Sequence, residues 1–171
     1  MSLATLMDPH RRWMRIALKE AEQAYDEGEV PVGAVVVQGP PNRGVLVGRG
    51  RNQVERLEDP TAHAEILAVS AACATLGTKL LTGCTLYVTL EPCPMCAGAL
   101  VWARLDCLVF GAFDEKAGAC STLYQIVQDE RLNHQMEVIS GVEADYSAEM
   151  LQAFFRQRRA ARPADDRRPL R

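Results

Sequence analysis

The chain is 171 residues long, carries a formal net charge of −3 and is 48% hydrophobic, as befits one soluble domain with a buried core. No apolar run reaches the length of a membrane span, and Met1 to His10 lacks the basic start and apolar centre of a secretory signal. Six cysteines in such a chain point to reduced thiols and a cytoplasmic setting.

Asp8 and Pro9 read as a cap and a first-turn proline. They open a helix with Trp13, Ile16, Ala17, Ala21 and Ala24 on its apolar face and Gly28 at its end. Val30 to Gln38 is almost continuously apolar, the pattern of a central strand. Gly39-Pro40-Pro41-Asn42 marks a turn, with Gly44 to Gly50 as the hairpin partner. Thr61 is placed to cap a helix running to about Leu76, with Gly77 as its stop. Thr85 to Thr89 alternates as a strand does. Pro92 and Pro94 fit only at the start of a helix that continues through Trp102. Cys107 to Gly111 is a strand, Gly118 to Glu130 a helix, Met136 to Ile139 a strand, and Ser147 to Arg159 a final amphipathic helix. About two dozen residues separate the last two strands, a length that suits a crossover between parallel strands. The expected architecture is α/β: a five-stranded mixed sheet with helices on both faces, in three α/β/α layers. One domain is expected over residues 8–160, followed by a basic tail at 161–171.

Charge is uneven along the chain. Phe154 to Arg171 holds seven arginines and two aspartates, a net of +5, so the remainder carries −8. Such a segment is either a phosphate-binding patch or a solvated tail. Arg156, Arg158 and Arg159 are its helical members.

Two short segments carry the chemistry: Thr61-Ala62-His63-Ala64-Glu65 and Leu90-Glu91-Pro92-Cys93-Pro94-Met95-Cys96. Cys93 and Cys96 are three apart in the first turn of a helix, so both sulfurs share one face. The positive end of that helix favours the thiolate, the form that binds metal. His63 and Glu65, only two apart, converge on one point if they sit at a helix start aimed at it. One imidazole and two thiols make three ligands for a zinc ion with one position left for water, and Glu65 is the spare carboxylate. A redox C-x-x-C pair needs no His-x-Glu elsewhere. A closed structural zinc site needs a fourth ligand, which Cys107 or Cys120 would have to supply. Cys73, Cys84, Cys107 and Cys120 otherwise read as small buried hydrophobes.

His63-Ala64-Glu65 with Pro92-Cys93-Pro94-Met95-Cys96 resembles the H-x-E and P-C-x-x-C signature of the zinc-dependent cytidine/adenosine deaminase superfamily. The likeness runs from about Trp13 to Arg159. It takes in Glu29-Val30-Pro31-Val32-Gly33-Ala34-Val35, Gly111-Ala112-Phe113-Asp114, Leu132-Asn133-His134 and Phe154-Phe155. The wider set is similar to the bacterial tRNA-specific adenosine deaminase branch. The resemblance implies a cytidine-deaminase-like fold, one Zn2+ per subunit and hydrolysis of adenosine to inosine at the wobble position of a tRNA anticodon. It assigns the metal to His63, Cys93 and Cys96, and proton transfer to Glu65. It assigns nucleoside binding to Asn52, the base pocket to Val30 and Ala64, and RNA around the target to Asp114, Asn133, His134 and Phe155. It also implies a homodimer, the tRNA anticodon stem-loop as partner, and no membrane. Two departures lie away from the metal motif: Ser121 stands where relatives often have glycine, and Ala144-Asp145-Tyr146 lacks a cysteine common in relatives. The zinc motif alone leaves two rivals open: a deaminase of free guanine, cytosine or nucleotides, and a non-catalytic zinc-containing RNA-binding subunit.

Overall fold

The computed structural model describes residues 3–161, with side chains from Pro9 onward. Arg162, Arg167, Arg168 and Arg171, and with them nearly all of the expected tail, lie outside the described residues. The elements are α1 (Leu3–Asp26), β1 (Gly33–Gln38), β2 (Val45–Arg51), α2 (Val54–Leu57), α3 (Ala64–Leu76), β3 (Cys84–Leu90), α4 (Pro94–Ala103), β4 (Cys107–Ala112), β5 (Glu137–Ile139) and α5 (Ala144–Ala161).

The five strands form one sheet in the order β2-β1-β3-β4-β5. β1 is antiparallel to both β2 and β3, while β3, β4 and β5 run parallel. Side chains alternate across each strand, so the two faces bury separate clusters. Val35, Val37, Tyr87 and Val109 face Trp13, Met14, Ala17 and Leu18 of α1, with Met150 of α5 packed against them. Ala34, Val36, Leu86, Val88, Leu108 and Phe110 face Ala64, Ala68, Ala72, Ala97 and Leu100 of α3 and α4. This is the expected three-layer mixed sheet. Both faces are covered, so β3 is buried over Cys84–Thr89 on either side rather than alternating between core and solvent. Gly48 and Gly50 let α3 lie directly on β2: a Cβ at either would overlap the α3 backbone at Ala68 or Ala64.

Four expectations are corrected. The first helix starts before Asp8 and holds Pro9 in its interior. The run Leu3 to Met7 contains no breaker, so the helix carries upstream with one ladder hydrogen bond missing at the proline. The first strand begins at Gly33 rather than Val30, because Val32 N–H turns back onto Val30 O at 2.8 Å. Thr61 does not cap α3. Its hydroxyl and its N–H both donate to Asp59 Oδ1, at 2.7 and 2.8 Å, and His63 takes the position before the first helical residue. The segment Gly118 to Glu130 is not a helix but a run of turns with one 3-10 turn at Ile126–Gln128. The N–H groups of Cys120, Ser121 and Thr122 point at the Glu91 carboxylate instead of forming a helical ladder. β4 and β5 are nonetheless parallel, joined by this irregular crossover.

Candidate active site

The carboxyl ends of β3 and β4 lie side by side, Leu90 opposite Ala112. The antiparallel pairing brings the start of β1 and the end of β2 to the same edge of the sheet. Chain segments leave this edge at Val32, Asn52, Glu91 and Phe113, and two helices begin over it. His63 precedes α3 in extended conformation, and Cys93 precedes α4 in the same way, with Pro94 as the first helical residue. Neither uses its side chain as a cap, which leaves imidazole and thiol free to face one another.

His63 Nδ1 lies 3.7 Å from Cys93 Sγ and 3.5 Å from Cys96 Sγ. The three ligand atoms are all within 4.8 Å of one another. Tetrahedral coordination with ordinary zinc–sulfur and zinc–nitrogen bond lengths separates such atoms by about 3.6 Å. The donor set therefore fits a metal ion of that size and softness. No further ligand atom joins this group among the described residues. Cys107 and Cys120 are buried free thiols outside it, so a closed four-ligand site has no fourth member there.

The local electrostatics favour anionic sulfur. The Cys93 thiol is held at about 4, first by its hydrogen bond with Cys96 and then by that with His63, against the opposing effect of burial. The Cys96 thiol is pushed up as the other half of the same pair, and the hydrogen bond to Cys93 raises His63. Glu65 stands in the first turn of α3, only 4% exposed. Burial raises its carboxyl to about 7, in the range where one group can both take and return a proton near neutral pH.

A cavity of 330 Å³ opens over these groups, and its walls include Val30, Asn52, His63, Glu65, Cys93 and Asp114. Six of the sequence-derived positions thus meet in one place. Ala64 is fully buried behind them, its carbonyl against Gly50. Two further buried carboxylates also line the cavity, Glu29 and Glu91, and neither was assigned a role from sequence. Glu91 is 2% exposed. It accepts from the N–H groups of Asp114, Cys120, Ser121 and Thr122 at 2.8–3.1 Å and from the Thr122 hydroxyl. Burial would raise its carboxyl, but these donors outweigh it and hold Glu91 below the usual range. It ties the loop carrying Asp114 to the residue two before Cys93, and Gly118 leaves it room, since a Cβ there would overlap the carboxylate. Ser121 sits in this brace through its backbone only. The sequence signal for both acids was a charge at the border of an apolar run with a proline close behind, in Glu29-Val30-Pro31 and Leu90-Glu91-Pro92.

The remaining positions stand apart. His134 Nε2 is 2.6 Å from Leu105 O, before the start of β4, at the opposite end of the sheet and roughly 20 Å from the cavity by strand length. Asn133 is exposed beside it. On α5, Phe154 is buried between Tyr25 and Phe155, with ring centroids at 5.7 and 5.5 Å, and Phe155 is half-buried. Arg158 donates to Gly28 O at 3.0 Å and pairs with Glu55 at 3.7 Å. Glu55 lines the cavity, so this arginine ties the end of α5 to the rim. Arg156 and Arg159 are exposed.

The MafB19-like deaminase family profile matches residues 8–159. A tRNA-specific adenosine deaminase from Bacillus subtilis (strain 168) is 50% identical over 152 residues, covering 89% of this chain and 92% of that protein. One from Haemophilus influenzae is 45% identical over 148 residues, covering 86% and 84%. A solved structure from work on A-to-I editing by tRNA:A34 deaminases at the wobble position superposes with a TM-score of 0.76 at 42% identity, covering 81% of this chain and 98% of that one. The guanine deaminase of Nitrosomonas europaea superposes with a TM-score of 0.72 at 26% identity, covering 84% and 83%. With its three-ligand cluster, buried glutamate and three-layer sheet, the chain belongs to the tRNA-specific adenosine deaminase family of MafB19-like deaminases.

Proposed function

We propose that this protein hydrolyses adenosine to inosine at the wobble position of a tRNA anticodon, using zinc held by His63, Cys93 and Cys96. The observation that carries the reading is Glu65, a buried carboxyl on the same cavity wall as three converging soft ligands. When bound, zinc supplies a Lewis acid that activates water near neutral pH. Glu65 accepts a proton as water adds to C6, delivers it to N1 of the adenine, and passes a second proton from the new C6 hydroxyl to the amine, which departs as ammonia. Asn52 and Val30 hold the nucleoside, with Ala64 behind them. Asp114, on the loop braced by Glu91, stands at the RNA side of the mouth. A duplex hides C6, so the substrate adenosine lies in a loop and is splayed out into the cavity. The domain spans residues 8–160, and the protein works in the cytoplasm; no described helix is long and apolar enough to cross a membrane.

The placement of Asn133 and His134 far from their own cavity supports a homodimer in which they serve RNA bound at the partner's site. Trp102, 78% exposed on α4, and Met95 on the same helix offer an apolar surface for that contact. Asn133, His134, Phe155 and the arginines of α5 are read as RNA contacts around the target. Among the arginines, Arg156 and Arg159 reach phosphate, while Arg158 holds the rim.

The test is incubation of the zinc-loaded protein with an adenosine-containing anticodon stem-loop and, separately, with free guanine and cytidine. Inosine in the RNA alone is expected. Ammonia from a free base alone would assign the site to base deamination, and no turnover of any substrate would leave an RNA-binding protein. For the double variant Arg156→Ala, Arg159→Ala, stem-loop affinity is expected to weaken. The slope of log K against log salt should fall by about 1–2, the loss of one or two phosphate contacts. An unchanged slope would move the phosphate patch off α5.

A further inference from the structure

Glu29 is 1% exposed and sits between α1 and β1, where a carboxylate has no packing role. It is saturated with donors. Its Oε1 accepts from Arg56 N–H at 2.8 Å; its Oε2 accepts from Glu55 N–H at 3.2 Å and from Asn52 Nδ2 at 3.1 Å. Two of the three donors belong to the first turn of α2, and the third is the side-chain amide assigned to the nucleoside. Asn52 is itself only 7% exposed, and its backbone N–H is fixed to Val32 O at 3.0 Å.

The amide of an asparagine can face either way, and the two orientations differ by exchange of a donor for an acceptor. Glu29 decides between them here. A carboxylate that already receives two backbone N–H groups offers the amide only acceptor oxygen, so the Nδ2 side turns toward it. Asn52 Oδ1 has no hydrogen-bond partner among the described residues, yet no buried side-chain oxygen or nitrogen in them is left unpaired. Oδ1 and the second Nδ2 N–H are therefore what Asn52 can offer to the cavity that it lines.

We propose that Glu29 is a positioning residue for the deamination site: it locks the Asn52 amide in the one orientation that it presents to the nucleoside. The inference rests on the reading of Asn52 as a nucleoside contact. In Glu29→Gln one oxygen becomes an NH2 group. The one remaining oxygen cannot accept from Arg56 N–H on one side and from Glu55 N–H and Asn52 Nδ2 on the other, so the donor set that holds the Asn52 amide is broken. On this proposal Glu29 acts on the substrate through Asn52, and so its effect must vanish when Asn52 has no amide.

The experiment is a double-mutant cycle on the zinc-loaded enzyme with the adenosine-containing stem-loop. It compares wild type, Glu29→Gln, Asn52→Ala and the double variant, with melting temperature and zinc content recorded for each. Each single change is expected to lower kcat/KM by about 10- to 100-fold, the range for losing a hydrogen bond to a charged or buried partner. The double variant is expected to be no slower than Asn52→Ala alone. Losses that multiply in the double variant would overturn the proposal, since Glu29 would then act independently of the amide. Wild-type kcat/KM in Asn52→Ala would overturn it too, by removing Asn52 from the substrate contacts while adenosine deamination itself stood. A wild-type enzyme silent on the stem-loop would strike the proposed function and this inference together. If Glu29→Gln does not fold, Glu29→Asp, which keeps the carboxylate but draws it back by one methylene, takes its place in the cycle with the same expected non-additivity.

Discussion

Glu65→Ala is expected to keep its zinc and its fold and to lose turnover, with kcat for the stem-loop falling by about 10²- to 10⁴-fold. The carboxyl is buried at the start of α3, beside the ligands but outside the ligand cluster. Removing it leaves all three ligand atoms in place. It also removes a buried ionisable group whose charged form is disfavoured by burial, so the melting temperature is expected to hold or rise slightly. What disappears is the carboxyl proposed to move protons between water, the ring and the leaving amine. The measurements are metal content by elemental analysis, thermal melting, and single-turnover rates with saturating enzyme, which separate chemistry from RNA binding. A near wild-type single-turnover rate would remove Glu65 from proton transfer, and loss of zinc would make it a ligand.

Cys93→Ala is expected to abolish both metal binding and activity. Cys93 supplies one of the three clustered ligand-type atoms and ends the segment that leads from β3 into α4. Structural zinc in small domains contributes on the order of 10 kcal/mol to folding; a site with an open position contributes less, but enough to lower the melting point visibly. Wild-type protein should therefore melt at lower temperature after chelation and recover with added zinc. Cys93→Ala should melt at one temperature whether or not zinc is present. Where that variant does not accumulate as folded protein, the chelation and recovery of wild type carries the test by itself. Full zinc occupancy in Cys93→Ala would exclude Cys93 as a ligand.

The metal cluster was legible in sequence because it depends on local spacing. Two cysteines one turn apart at a helix start, and a histidine two before a glutamate, restrict the possible geometry before any fold is known. The strands were legible too, since continuous apolar runs bounded by Gly and Pro leave little choice. Helix starts were read less well. Thr61 has the chemistry of a cap, but Asp59, two residues earlier, competes for its hydroxyl and wins. Gly118 to Glu130 has the composition of a helix, but Glu91, from almost thirty residues away, collects the N–H groups such a helix would need. Local propensity gives way where a buried carboxylate must be satisfied.

By itself the sequence determined which three soft side chains converge and which carboxylate stands beside them, along with the layered α/β class, because short-range spacing and apolar periodicity encode them. Only the tertiary structure decided how the substrate side is built. Glu29 and Asn52 are separated by twenty-three residues, Glu91 and Asp114 by the same number, and Arg158 lies 130 residues from Gly28. Each pair meets because antiparallel β1–β2 and parallel β3–β4 end at one edge of the sheet, with α5 folded back across it. No periodicity in the chain records such meetings. The first two follow from the requirement that every buried carboxylate find its donors once the sheet has closed.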